Sequence, residues 1–275
     1  MTATAWIPFA LYAAAAAVYV AHFSGRDPRA GRIATAILGA GLLAHTFLIG
    51  MQTMQAGYAP LVGTTAAISA FVWLLGLSYL YVELTTDERA MGAFVATLLA
   101  ALAILPALNP SVDPRPALLR SPLFTVHVLS MLVAYASFAL AFVLGITYVL
   151  LFKEIKAKHL GYFYARLPSL QMLDVMNARA VVVGWLFLTC GLAVGVVWAL
   201  QITGSPDPRA QAMRVADPKI LVALICWLTY SFALFARRMI GWSGRRAAYL
   251  SAAGFIIVLL NFLPVGYFLT RSHNF

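Results

Sequence analysis

Charge is scarce in this chain, and acid is scarcer still. Only 10% of its 275 residues are charged, and nine acids stand against nineteen lysines and arginines. Soluble domains carry about 25% charged residues, so this composition cannot furnish an ordinary water-facing shell. All nine acids fall near the ends of apolar runs or between them, which argues against a proton relay or cation carrier built on an intramembrane Asp or Glu. The two cysteines, Cys190 and Cys226, lie inside apolar stretches without CxxC or CxxCH spacing. That excludes a disulfide framework and the covalent cofactor attachment a CxxCH would provide; both read as small apolar core residues. There is no HExxH, P-loop, dinucleotide fingerprint or Ser/His/Asp spacing. The net charge of +10 comes without a basic run, so no nucleic-acid partner is expected.

What the chain has in abundance is apolar length. Hydrophobic residues make up 63% of it, and a spanning helix needs roughly 20 of them in succession. Eight segments meet or approach that length, at about 5–23, 33–52, 62–84, 90–107, 122–152, 179–202, 218–236 and 247–270. The opening "MTATAWIPFALYAAAAAVYV" lacks the basic n-region of a cleavable signal and reads as the first span. The expected fold is an all-α polytopic membrane protein, one bundle of about eight helices with residues 1–275 as a single domain in the lipid bilayer. The loop "KEIKAKHLGYFYARLPSLQMLDVMNARA" mixes basic and apolar residues, as an interfacial stretch does, and predicts a short helix after Pro168 with Ser169 near its start.

Orientation follows from Lys and Arg, which accumulate in cytoplasmic loops. With both termini outside, the outer segments hold only Arg115, Arg120, Arg209, Arg214, Lys219 and Arg271, and the other thirteen basic residues lie inside. Both termini are therefore expected on the periplasmic side of a bacterial inner membrane. His22 and His159 then fall at ordinary inner-interface positions, where structural roles are expected. His45, His127 and His273 gather toward the outer side. At 1.5 Å per residue, His45 lies about 10 Å below the outer boundary and His127 slightly shallower. An ionisable residue at such depth is a functional-site candidate, and neutral imidazole is a common metal and haem-iron ligand. Each could instead hydrogen-bond a neighbouring helix, and the residues alone leave both readings open.

Four stretches stand out: "AHTFLIGMQTMQAGYAPLVGTTAAISAFVW", "VHVLSMLVAYASFALAFVLGITYVLLFKE", "ADPKILVALICWLTYSFALFARRMIGWSGRRAAYLSAAGF" and "NFLPVGYFLTRSHNF". Together they resemble the CcsA-type cytochrome c assembly family of integral membrane haem-handling proteins. The Gly-Trp-x-Gly-Arg turn in the third and the histidine-flanked helices carry most of the specificity. The resemblance implies haem b as cofactor, bound near the outer face by His127 and His273 as iron ligands. It places Asp217, Pro218 and Lys219 at the end of the family's outer-loop signature. His45 is expected as a supporting or alternative ligand, and Arg115, Arg120, Arg209, Arg214 and Lys219 as candidate partners of haem propionates. The implied activity is binding and handover rather than turnover, to an apocytochrome c or a membrane partner of the assembly machinery.

Three departures accompany the resemblance. The outer loop "TGSPDPRAQAMRVADPK" has no tryptophan-rich part, and Ala216 stands where the family has Trp. A family in-membrane histidine aligns with Phe235, and the glutamate of an outer Tyr-Glu pattern aligns near Ala66. The chain resembles a divergent branch of the family in these loops. The alternative expectation is a haem-free membrane scaffold or accessory subunit on the same fold.

Overall fold

The computed structural model describes residues 2–61, 63–110, 117–158, 161, 164–203 and 218–260. Among them are eight α-helices and no strand: α1 Thr2–Gly25, α2 Pro28–Ala56, α3 Thr64–Thr86, α4 Gly92–Leu108, α5 Pro122–Lys156, α6 Leu170–Ile202, α7 Pro218–Phe235 and α8 Arg245–Leu260. Six of these are long and apolar enough to cross a membrane, with α7 running on through one wide turn to Ile240. The protein is thus a polytopic helical membrane protein, as its composition requires.

Local chemistry sets the helix boundaries. Asp27 caps α2 by accepting from the Arg29 N–H at 2.9 Å, and Pro28 opens the helix where its missing N–H costs nothing. Gly57 ends α2 at φ 76°, its N–H donated to the Thr53 carbonyl, a left-handed stop that glycine adopts freely. Ser169 caps α6, accepting from the Met172 N–H at 3.2 Å. The short helix expected after Pro168 is therefore not separate. With its N-terminus satisfied and no breaker following, it runs without interruption into the span, giving one helix of 33 residues.

Two groups of helices form the bundle. In the first, α1 packs on α2 and α4, and α3 on α2 and α4; in the second, α5 packs on α6 and α8, and α7 on α6 and α8. Helix α5 also packs on α3, joining the groups, and Ser78 and Ser137 meet across that seam at 3.2 Å. Close approach in the second group rests on aromatic stacking in small-residue notches. The Phe138 and Tyr230 rings stack with centroids 3.6 Å apart, and a Cβ on Gly184 or Gly254 would fall within 2.6 Å of one of them. Leu43, Phe47, Met54 and Leu200 face outward, as lipid-facing side chains do. Cys226 is buried as expected, but Cys190 is exposed on α6; it is an apolar lipid-facing residue, not a core one.

Contacts show which helix ends share a side. Arg166 Nε donates to the Ser24 carbonyl at 3.1 Å, and an Arg179 N–H donates to the Thr85 carbonyl. Arg237 pairs with Asp174 through both guanidinium nitrogens, at 3.0 and 2.5 Å, and Asp174 also accepts the Gly244 N–H at 2.8 Å. All these residues lie on the side that the Lys and Arg distribution assigns as inner. Opposite them, the Arg120 guanidinium sits 5.3 Å above the Tyr58 ring, tying the segment before α5 to the loop after α2.

Candidate functional site

His127 occupies the second turn of α5 and is half-buried against α6. Its Nδ1 lies 2.7 Å from the Gly191 carbonyl oxygen. A carbonyl can only accept, so Nδ1 carries the proton and the imidazole lone pair resides on Nε2. This is the arrangement by which a backbone carbonyl fixes the tautomer of a metal-ligating histidine. Helix α6 approaches this closely because it presents glycine at 191 and 195. A Cβ on Gly195 would stand 2.7 Å from His127 Nδ1, and one on Gly191 would stand 2.9 Å from Met131 Sδ.

One turn further toward the outer end, Phe124 and Trp198 meet edge to face with centroids 5.0 Å apart. With Leu119 they form a small buried cluster separate from the main core. Trp198 Nε1 is buried, and among the described residues it has no hydrogen-bond partner. A buried donor without an acceptor is uncommon. Here it lies on the same α6 face as Gly191 and Gly195, since positions four and seven residues apart align on a helix. The Trp198 donor could not be anticipated from sequence, because an indole in an apolar run reads simply as core.

His45 has a different setting. It is 2% exposed, with Nδ1 3.0 Å from the Tyr12 hydroxyl and Nε2 2.9 Å from the Ser69 hydroxyl. Both nitrogens are engaged, by α1 and α3, whereas the partner of His127 is on α6. Beside His45 is a cavity of about 20 Å³ lined by Gln52, Thr65, Ala66 and Ser69, room for about one water molecule. Ala66 is part of that wall.

Of the remaining expected site residues, Pro218 and Lys219 open α7. Asp217 and His273, with Arg115, Arg209 and Arg214, lie outside the described residues, as does His159. His22 is tied to its own chain, its Nδ1 2.7 Å from the Asp27 carbonyl. Phe235 is exposed on the outside of α7. No group of three metal-ligating side chains occurs among the described residues; His127 offers an imidazole whose tautomer is fixed by the Gly191 carbonyl.

A family model described as cytochrome C assembly protein matches residues 10–273. Among curated relatives, the cytochrome c biogenesis protein CcsA of Guillardia theta is 28% identical over 250 residues, covering 84% of this chain and 81% of its own length. CcsA of Synechococcus sp. (strain CC9902) is 26% identical over 275 residues, covering 90% and 88%. CcsA of Chlamydomonas reinhardtii is 27% identical over 249 residues, covering 87% of this chain and 67% of its own length.

Proposed function

The chain belongs to the cytochrome c assembly protein family, and from that premise we propose that it handles haem for cytochrome c assembly at the outer face of a bacterial inner membrane. Haem is the cargo, and His127, through the lone pair on Nε2, would be one of the residues that hold its iron. The observation that carries this reading is the 2.7 Å bond between His127 Nδ1 and the Gly191 carbonyl, which supports a neutral imidazole with its lone pair on Nε2. The second ligand is His273, by resemblance to the family.

Each neighbouring residue has a defined part. The Gly191 carbonyl orients the ring, and by accepting a hydrogen bond from Nδ1–H it raises the basicity of Nε2. Gly195 leaves the space the ring occupies. Phe124 and Trp198 wall the site on its outer side, and the Trp198 N–H is suited to a carboxylate acceptor such as a propionate. Arg120, just before α5, and Lys219, at the start of α7, are described cations on the outer side and are candidate propionate partners. His45 stays in its Tyr12–Ser69 network and supports the α1–α2–α3 packing instead of ligating.

A second reading is favoured by one observation. By the resemblance, the family's in-membrane histidine falls at Phe235, which is exposed on α7, so at most the outer ligand pair would remain. Under this reading it is a haem-free scaffold or accessory subunit, and the His127–Gly191 bond only fastens α5 to α6.

Oxidised and reduced optical spectra of detergent-purified protein, with haem quantified against protein, decide between the two. Haem near one per chain, lost in His127→Ala and His273→Ala but kept in His159→Ala, is the expected result. Equal retention in all three variants sinks the ligand assignment. Protein that stays colourless through a haemin titration leaves the scaffold reading.

A further inference from the structure

On the opposite side of the bundle is a recess unconnected with His127. Its volume is about 180 Å³, and its walls include His22, Phe23, Arg26, Glu88, Arg166 and Leu167. These residues come from three separate segments: the end of α1, the turn before α4 and the segment before α6. Two of the polar walls are held by the backbone, His22 through the Asp27 carbonyl and Arg166 through the Ser24 carbonyl. Glu88 is held in place by the Ala90 N–H at 3.0 Å.

Arg26 differs from these walls in that its side chain is not held. Its φ is +56°, a left-handed conformation that glycine adopts more readily than a long side chain, although the chain places glycine at the preceding position instead. It is exposed, and among the described residues its guanidinium has no ion pair or hydrogen bond. That conformation caps α1, with the Arg26 N–H donated to the His22 carbonyl at 2.7 Å, and it leaves the unmatched guanidinium among the walls of the recess.

The charges specify the ligand. Two guanidiniums suit a phosphodiester, which they bind through charge-assisted hydrogen bonds, while the Glu88 carboxylate beside them opposes any second negative charge. That same carboxylate suits an ammonium. Phe23 and Leu167 supply an apolar wall, and the recess lies at the end of a membrane-spanning helix, where headgroups reside. Basic pockets between helices on the cytoplasmic side are recognised lipid sites. We propose that this recess binds one phospholipid headgroup carrying both a phosphodiester and a primary amine, of the phosphatidylethanolamine kind. Arg26 and Arg166 take the phosphate, and Glu88 takes the amine.

The test uses the full chain reconstituted in nanodiscs of equal phosphatidylethanolamine and phosphatidylglycerol. Lipid retained after transfer to mild detergent is counted by native mass spectrometry. Wild-type protein should hold phosphatidylethanolamine in preference. The double variant Arg26→Ala with Arg166→Ala should lose retention by about tenfold or more, as expected when charge-assisted hydrogen bonds are removed. Glu88→Gln should keep the phospholipid but lose the preference for the amine. Because Arg166 also bonds to Ser24, Arg26→Glu alone serves if the double variant does not fold. Unchanged retention in Arg26→Glu overturns the site, and an unchanged preference in Glu88→Gln overturns the amine assignment. Saturable binding of soluble glycerophosphoethanolamine with the same affinity overturns the lipid as source.

Discussion

Gly195 and His127 fit together as space and occupant: the ring stands where a side chain at 195 would begin, with Nδ1 2.7 Å from the position of a Cβ. The ring cannot yield readily, since its Nδ1 is already held by the Gly191 carbonyl. Gly195→Ala should therefore tilt or displace the imidazole, and Gly195→Val should expel it from α6. Overpacking of this kind costs about 1–3 kcal/mol. The expected outcome is a modest fall in melting temperature and a large fall in haem retention, read by haemin titration. Haem binding that survives Gly195→Val in folded protein would remove His127 from the ligand set.

Trp198→Phe separates packing from hydrogen bonding. Phenylalanine can keep the edge-to-face contact with Phe124, but it lacks the N–H that has no acceptor among the described residues. A buried unsatisfied donor costs about 1–3 kcal/mol, which offsets much of the packing lost with the smaller ring. Haem-free protein should thus melt within a few degrees of wild type, whereas haem affinity should drop if the indole serves a propionate. Equal haem affinity in the two proteins would confine Trp198 to packing.

For His45 the prediction is the converse. His45→Ala strands the Tyr12 and Ser69 hydroxyls inside the α1–α2–α3 group, and each such group costs about 1–3 kcal/mol. Thermal stability should fall clearly while haem stoichiometry per folded chain stays that of wild type. A folded His45→Ala protein that has lost its haem would place His45 among the ligands after all.

The spans were legible because apolar length is a local property, and the six long spans needed nothing beyond counting residues. Partners were not legible, because they depend on which helix faces which. His45 and His127 have similar depth in the sequence, yet one is enclosed by α1 and α3 and the other leans on α6. Glu83 shows the same limit. Its place near the end of α3 marked it as an interfacial acid, but it is 1% exposed, accepting from the Tyr19 hydroxyl at 2.7 Å and from Thr35. Nothing within α3 announces that α1 and α2 supply those donors. The break expected between an interfacial helix and α6 also failed, because the cap at Ser169 starts a helix that no later residue stops.

Asp174 offers a ranked prediction about the inner face. Its carboxylate joins three segments: α6, Arg237 at the end of α7, and Gly244 in the turn before α8. The turn itself depends on Gly241 and Gly244 at φ 75° and 59°, and Tyr148 Oη lies 2.4 Å from where a Gly244 Cβ would stand, so no side chain fits at 244. Asp174→Ala removes the acceptor of the Gly244 N–H and leaves the guanidinium only the long 3.4 Å contact to the residue-174 backbone carbonyl. Arg237→Ala leaves the carboxylate still bonded to Gly244, at a position partly open to water. Asp174→Ala should therefore lower the melting temperature more than Arg237→Ala, and the double variant should cost less than the sum of the two, because the shared contact is lost only once. Additive costs in that cycle would mean that the pair contributes no coupling and that the turn is held by its glycines alone.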